Sequence, residues 1–269
     1  HCQLMLIFIY RPRRDEGSWA VREQVERDHP HLHRSIELHP LPDGDARTLI
    51  AELLAIDGLP EDVRKLVLER SDGNPYFLEE VIRSMIDAGV VGRSGDRWVA
   101  IGDVTTVAIP ETLTALITTR LDALDESCRN AAQAGSVLGR EFRYEELAAL
   151  TDGIADLDRA LVELQRRDLV REVARTPRRI YRFKHALVQQ TAYAGMLRKH
   201  RVQLHAVAAD SLSRSQPDRV EDIADHYLAA RQEEQAIPFL VAAGERALKA
   251  FLLPEAHSRL DHALGLLGD

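Results

Sequence analysis

The chain has 269 residues, with 35 Lys and Arg against 43 Asp and Glu, which gives a formal net charge of −8 at pH 7. This acidic balance disfavours a globally basic nucleic-acid or membrane-surface binder, and a hydrophobic content of 45% is too high for a disordered chain. Because only 5% of the residues are aromatic, the cores must consist of Leu, Ala, Val and Ile, which favours helix bundles.

The first 42 residues have the pattern of the end of an α/β core. Residues 4–10 form a short, continuous apolar run, which is typical of a strand buried on both faces of a parallel sheet. A short helix over residues 19–28 and a second strand over residues 34–38 are predicted to follow. One strand pair does not make a stable sheet, and the chain begins at His1 without an initiator Met. We therefore interpret the chain as a fragment whose remaining strands lie upstream.

Residues 43–123 are predicted to form a small helical domain, because apolar side chains recur there at helical spacing. Proline at helix starts and glycine at helix ends give the boundaries. The predicted elements are helices over residues 45–55, from Pro60 to Gly73, from Pro75 to Gly89 and from Pro110 onward, with a short strand over residues 97–101.

Residues 124–198 have the element order of a winged helix, which is three helices followed by a two-stranded hairpin. The predicted elements are helices over residues 125–138, 144–150 and 154–167, strands over residues 169–174 and 179–183, and a closing helix over residues 185–197.

Residues 199–269 alternate as amphipathic helices, predicted over residues 199–212, 219–230, 233–243, 245–251 and 255–266. The dipeptides at residues 235–236 and 255–256 resemble repeat landmarks, but their spacing is shorter than the roughly 34 residues of a regular tetratricopeptide repeat. The segment is therefore predicted to be tetratricopeptide-like, with its repeat class left open.

The motifs of nucleotide cleavage are absent from the sequence. It contains no G-x-x-x-x-G-K-[ST] loop, no G-x-G-x-x-G, no H-E-x-x-H and no G-x-S-x-G, so we assign no catalytic residue. His29, His31 and His33 alternate, but Pro30 interrupts them and no carboxylate or cysteine pattern supports a metal site. We therefore expect no metal bound by this chain.

The expected compartment is the cytoplasm. The two cysteines, Cys2 and Cys128, are too few for a disulfide framework or a cysteine zinc site. The apolar run at residues 4–10 is far shorter than the roughly 20 residues that a membrane helix needs. It also lacks the basic leader and the cleavage site of a signal peptide.

Four residues are candidates for contact with a bound phosphate or nucleotide. Arg11 follows the first predicted strand, at the end of a sheet where ligands bind, and its forked guanidinium suits a terminal phosphate. His185 begins a helix, and an imidazole beside free N–H groups is a good phosphate receptor. Gly73 and Pro75 fuse a helix end and a helix start into one turn. Each position also has a purely structural alternative. Arg11 would be a solvated arginine, His185 a structural histidine, and Gly73 with Pro75 an ordinary turn between two helices.

A basic segment over residues 175–201 stands out in this acidic chain because it lacks Asp and Glu. It would either contact phosphates of a nucleotide or nucleic acid, or form a solvated hairpin that faces an acidic neighbouring domain. Its eight cations are Arg175, Arg178, Arg179, Arg182, Lys184, Arg198, Lys199 and Arg201.

Several sequence blocks together resemble the C-terminal half of a STAND-class signal-transduction ATPase, an AAA+-related switch protein. The blocks are, in chain order, YRPR, DGNPYFLEEVIRSM, IPETLTALITTRLDAL, AAQAGSVLGREF and YRFKHALVQQTAYAGML followed by RKHRVQLH. The resemblance covers nearly the whole chain. Its kin are bacterial multidomain regulators, often joined to class III nucleotide cyclase domains, tetratricopeptide arrays or a DNA-binding output domain.

The resemblance implies roles at the matching positions. Arg11 would be the sensor-1 arginine, and Gly73 with Pro75 would be the GxP motif, with Pro75 near the adenine. His185 would match the histidine that approaches the β-phosphate of ADP, although the Met-His-Asp form of that motif is not reproduced here. The phosphate-binding loop and the residues that hold Mg²⁺ would lie upstream.

The sequence thus predicts a mostly α chain: an α/β NTPase core remnant (1–42), a helical lid (43–123), a winged helix (124–198) and a tetratricopeptide-like helical segment (199–269). Its predicted function is that of a regulatory segment that ATP and ADP switch between two states. The parent protein is predicted to be an ATPase, with fusion to a class III nucleotide cyclase domain as one option. The expected partners are the upstream core, nucleotide, proteins that bind the C-terminal helices, and a second copy as an option, but neither nucleic acid nor a membrane.

Two alternatives stay open. One is a winged-helix DNA-binding transcriptional regulator, favoured by the basic hairpin. Its recognition helix, residues 154–167, would carry as many acidic as basic side chains, which is a poor surface for phosphates. The other alternative is a purely helical scaffold for protein interactions.

Overall fold

The structure, a computed structural model, describes residues 5–9, 17–39, 41–42, 44–45, 48–49, 56–57, 60–71, 74–95, 97–106, 109–151 and 156–268. The chain is 65% helix and 8% strand, which confirms the predicted mostly α fold class. It divides into two compact units, residues 1–40 and residues 41–269.

The first unit has one helix among its described residues, α1 (Gly17–Asp28). The predictions of strands at residues 4–10 and 34–38 are wrong for the part described, because residues 5–9 and 33–39 carry no strand. The apolar side chains of residues 5–9 are 64–94% exposed. A strand is stable only where a neighbour takes up its backbone hydrogen bonds, and the described part of this unit offers neither segment such a neighbour. Arg11 lies outside the described residues.

The second unit begins with a helical region that has its own small sheet. Its elements are β1 (Ile56–Asp57), α2 (Glu61–Ser71), α3 (Pro75–Asp87), β2 (Val91–Ser94), β3 (Arg97–Ala100), a 3₁₀ turn (Val104–Thr106) and α4 (Leu113–Asp122). The middle strand β3 pairs antiparallel with β2 and parallel with β1. The predicted helix at residues 45–55 falls mostly outside the described residues.

Helix α3 forms where the sequence predicts it. Asn74 caps it, since the Asn74 side chain accepts a hydrogen bond from the Tyr76 N–H at 3.0 Å, and Pro75 fits the first turn because its missing N–H is not needed there. Its apolar stripe is buried, and each such side chain contributes about 1.5–3 kcal/mol. The stripe consists of Phe77, Leu78, Val81, Ile82 and Met85.

The next region combines four helices with a three-stranded antiparallel sheet. Its elements are α5 (Glu126–Leu138), β4 (Glu141–Arg143), α6 (Tyr144–Leu150), α7 (Leu157–Arg166), β5 (Val170–Ala174), β6 (Ile180–Phe183) and α8 (Ala186–Ala194). The strand order is β4-β6-β5. The sequence predicts the hairpin but not β4, because three residues are too few for an alternating pattern to appear.

Helix α4 belongs to the cores of both regions. Its residue Leu116 is buried with the α2–α3 core, whereas Ile117 and Leu121 are buried with the core around α5 and β6. The two regions are therefore joined by continuous apolar packing.

Four helices complete the chain: α9 (Arg198–Ser215), α10 (Val220–Ala229), α11 (Glu233–Lys249) and α12 (Leu253–Gly268). Each packs against the next along the chain. The predicted break at Gly244 is wrong, because α11 runs through it. Gly244 lies where α12 approaches, and a Cβ there would stand 2.6 Å from Leu260 Cγ. This glycine serves close packing rather than chain reversal.

Candidate functional site

The start of α3 and the start of α8 meet through two aromatic rings. Tyr76, in the first turn of α3, stacks on His185, the residue that precedes α8, with ring centroids 3.6 Å apart and an interplanar angle of 29°. Asn74 and Pro75 hold Tyr76 at the start of α3. His185 lies between strand β6 and α8 and faces the Tyr76 ring. Residues more than one hundred positions apart in sequence therefore form one contact.

The polar atoms of this pair lack partners in the described part of the chain. The Tyr76 hydroxyl is buried near Glu80 without a hydrogen bond of acceptable geometry, and His185 Nε2 is buried without one. Burial is the largest cause of the raised pKa of Tyr76, and the nearby Glu80 carboxylate raises it further. Burial is the largest cause of the lowered pKa of His185, and the nearby charge of Lys184 lowers it further. At neutral pH both rings are therefore uncharged, and His185 Nε2 has hydrogen-bonding capacity that no described residue uses.

A buried ion pair lies directly behind Tyr76. Arg120 of α4 and Glu80 of α3 are each 3% exposed, and their side chains form a salt bridge. Arg120 Nε is also 3.5 Å from Asp87 Oδ2, and the same guanidinium donates to the backbone carbonyl of Arg167. Burial raises the pKa of the Glu80 carboxyl, and the Arg120 charge opposes that effect. Arg120 thus connects α3 and α4 to the turn after α7.

A second ionic cluster continues the same surface of α3. Arg83 donates to Asp168 Oδ2 at 2.8 Å, and Lys184 binds the same carboxylate. Lys184 Nζ also lies 3.9 Å from a carboxylate oxygen of Glu79. The residue before His185 is therefore fixed by the helix that carries Tyr76.

The structure thus describes two of the four predicted site residues, and it brings their neighbourhoods together. Pro75 directly precedes the tyrosine that stacks on His185. Gly73 and Arg11 lie outside the described residues. Sequence reasoning missed Tyr76 and Arg120. A signal for Arg120 was present, because a charged residue takes an apolar position in the stripe that Leu116, Ile117 and Leu121 define.

Among the described residues, four of the eight cations of the basic segment at residues 175–201 pair with carboxylates: Arg175, Arg179, Arg182 and Lys184. Pairs join Arg179 to Asp158 at 2.6 Å and Arg182 to Glu141 at 2.5 Å. Helix α7 is likewise self-paired, because Arg166 and Arg167 hydrogen-bond to Glu163. These bonds lower the pKa of Glu163 to about 2. The basic surface that remains for phosphate contacts is therefore about half of what the sequence suggests.

A cavity of about 160 Å³ lies between α4, α5 and α8, with Thr118, Arg129 and Thr191 in its lining, and it includes none of the four predicted site residues. In the described ranges no three His, Cys, Asp or Glu side chains are grouped to hold a metal ion. None of the helices described has the length and apolarity to cross a membrane.

Comparison with known proteins gives two matches. A family model described as a domain of unknown function, DUF8739, matches residues 42–92, which include α2, α3 and Tyr76. A relative called "Uncharacterized protein R02095", from Rhizobium meliloti (strain 1021), is 30% identical over 160 residues. That alignment covers 57% of this chain and 16% of the relative, so the chain spans less than a fifth of that relative's length.

Proposed function

We propose that this chain is the regulatory segment of a nucleotide-switched signal-transduction ATPase of the STAND class that its sequence resembles. In this proposal residues 43–123 form the lid, residues 124–198 a winged helix and residues 199–269 the start of a tetratricopeptide-like array. The whole protein binds ATP or ADP in the cytoplasm and meets protein partners through the array. We assign this segment no catalytic residue, because its sequence contains no phosphate-binding loop; under the resemblance, that loop and the Mg²⁺ ligands would belong to another part of the protein.

The Tyr76–His185 stack is the observation that carries the proposal. It brings two helix N-termini together, and each carries a partial positive charge that favours an anion. At α8 no side chain caps the first turn, so its N–H groups are the ones that can bind an anion. His185 Nε2 has no partner among the described residues, so the imidazole still has hydrogen-bonding capacity. These features fit a phosphate group of a bound nucleotide.

The chain's own residues would act by binding and orienting. His185 contacts a phosphate oxygen of ADP, and Pro75 packs beside the adenine. By the resemblance, Arg11 would read the terminal phosphate of ATP. Since a ligand shifts an equilibrium only by its differential affinity for the two states, ADP would favour the arrangement in which His185 reaches it, and ATP a different one.

The DNA-binding alternative gains little support from the charges. Arg179 and Arg182 of the hairpin, and Arg166 and Arg167 at the end of α7, are paired with carboxylates. A protein that neutralises several phosphates needs several free cations at its surface. We therefore favour the nucleotide-switched function over direct DNA binding.

The test is nucleotide binding by the natural full-length protein. We expect His185→Ala to weaken ADP binding at least tenfold and to change ATP binding less, because the imidazole contacts the nucleotide in the ADP state. Titration calorimetry with ADP and ATP measures both affinities. His200→Ala, at an exposed position of α9, is the matched control. Unchanged affinities in His185→Ala would refute the assignment, and the absence of any nucleotide binding would favour the helical scaffold.

A further inference from the structure

We propose that Tyr76 is the positioning residue of His185: its ring sets the orientation of the imidazole that reaches the nucleotide. That the imidazole reaches a nucleotide rests on the proposed function. The contact between the two rings is present in the structure without any ligand. The two ring centroids lie 3.6 Å apart, closer than the roughly 4.5–7 Å usual for aromatic pairs, so the ring faces are in direct contact.

The imidazole has no other fixed support in the described part of the chain. His185 occupies the N-cap position of α8, yet its side chain makes no cap hydrogen bond. Its Nε2 is buried without a partner. A histidine ring with no hydrogen bond rotates about its side-chain bonds unless packing prevents it. His185 stacks on Tyr76, so the stack holds the plane of the imidazole in one orientation.

Tyr76, in contrast, is held firmly. Pro75 and the Asn74 cap fix the backbone at the start of α3. The hydroxyl lies in a buried pocket next to Glu80, and Arg120 holds Glu80 in place from α4. The orientation of His185 is thus transmitted from the α3–α4 core to the start of α8 through a single side chain.

The face of the Tyr76 ring, and not its hydroxyl, orients His185. The Tyr76 hydroxyl makes no hydrogen bond of acceptable geometry within the described residues, so Tyr76→Phe keeps the stack and removes a buried, unpaired polar group. Tyr76→Leu keeps an apolar side chain of similar volume and removes the stack. This pair of variants separates positioning from simple filling of space.

The first measurement is the reaction of His185 with diethyl pyrocarbonate in the protein without nucleotide, followed by peptide mass spectrometry. The reagent modifies neutral imidazoles that it can reach. We expect slow modification in the unsubstituted chain and in Tyr76→Phe, and a rate at least tenfold higher in Tyr76→Leu. Tyr144→Leu, which removes a tyrosine that does not touch His185, should leave the rate unchanged. Equal rates in Tyr76→Leu and the unsubstituted protein would overturn the positioning role.

The second measurement is ADP affinity in the full-length protein. Tyr76→Leu should weaken ADP binding about as much as His185→Ala, and the double variant should be no weaker than His185→Ala alone, because Tyr76 acts through His185. Additive losses would mean that Tyr76 contacts the nucleotide itself and would overturn the inference. If His185→Ala leaves ADP binding unchanged, the proposed function fails, and the modification rates still decide whether Tyr76 orients the histidine.

Discussion

The buried pair of Arg120 and Glu80 leads to a sharp prediction about stability. Arg120→Met keeps the aliphatic part of the side chain and removes the charge. Glu80 would then be a carboxylate with 3% exposure and without its cation. Breaking one side of a buried ion pair costs about 3–5 kcal/mol, because the remaining charge stays buried and unpaired. Set against a whole-domain stability of about 5–15 kcal/mol, such a loss is large.

The matched control is Arg166→Met. Arg166 also pairs with a glutamate, but its side chain is 64% exposed, and an exposed pair contributes at most about 1 kcal/mol. Urea unfolding followed by circular dichroism gives both changes in the free energy of unfolding. We expect a loss for Arg120→Met at least threefold larger than for Arg166→Met. Equal losses, or a loss under about 1 kcal/mol for Arg120→Met, would refute the reasoning.

The pH dependence of Arg120→Met provides a second check. Burial already raises the pKa of the Glu80 carboxyl, and removal of Arg120 takes away the charge that opposes this. A carboxyl whose folded-state pKa is raised destabilises the fold once the pH exceeds its unfolded-state value. The deficit should therefore shrink as the pH falls from 7 toward 4.5, and Glu80→Gln combined with Arg120→Met should recover part of the loss at pH 7. A deficit that does not change with pH would exclude Glu80 as its source.

Two further predictions concern the C-terminal helices. His205 bonds Tyr193 at 2.9 Å and His226 at 2.8 Å, and burial, followed by the His226 charge, lowers the pKa of His205 to about 4. Because the neutral form is favoured in the folded state, the unfolding free energy should fall by about 3 kcal/mol as the pH drops from about 6.5 to 4, and urea unfolding of His205→Gln should show a clearly smaller fall. Gly244→Ala should destabilise the array by about 1–3 kcal/mol, because the new methyl group meets Leu260. Thermal unfolding should show partial rescue by Leu260→Ala, whereas a stabilised Gly244→Ala would contradict the close approach.

Local signals in the sequence were sufficient for most helices. The apolar stripe of α3, its proline start and its asparagine cap all lie within a few residues of one another, so their meaning does not depend on the rest of the chain. Gly244 shows the opposite situation. A glycine within a helical pattern predicts the end of a helix. The structure shows a different role, because Gly244 leaves room for the approach of α12 while α11 continues through it. The failed strands at residues 5–9 and 33–39 have the same cause, since a strand depends on a neighbour that its own pattern does not contain.

The candidate site was predictable only in part, for a related reason. His185 and Pro75 stand out locally as a histidine and a proline at helix starts. Their connection through Tyr76 depends on the packing of α3 against the turn after α7, which sequence spacing does not encode. The basic segment was likewise anomalous in sequence, because its carboxylate partners Glu141, Asp158 and Asp168 come from other elements.

The packing of α4 limits what the proposed switch can do at this joint. A movement that separates the α2–α4 region from the region around α5 would break the Tyr76–His185 stack, and it would also expose Ile117 and Leu121, which are 0% and 7% exposed. At about 1.5–3 kcal/mol for each apolar side chain, exposure of the two would cost about 3–6 kcal/mol. Since about 1.4 kcal/mol corresponds to a tenfold ratio, ATP would have to bind the open arrangement roughly 10²–10⁴-fold more tightly than the closed one. A smaller preference would leave these two regions together, and the nucleotide would then act by a movement in which α3, α4 and α8 travel as one body.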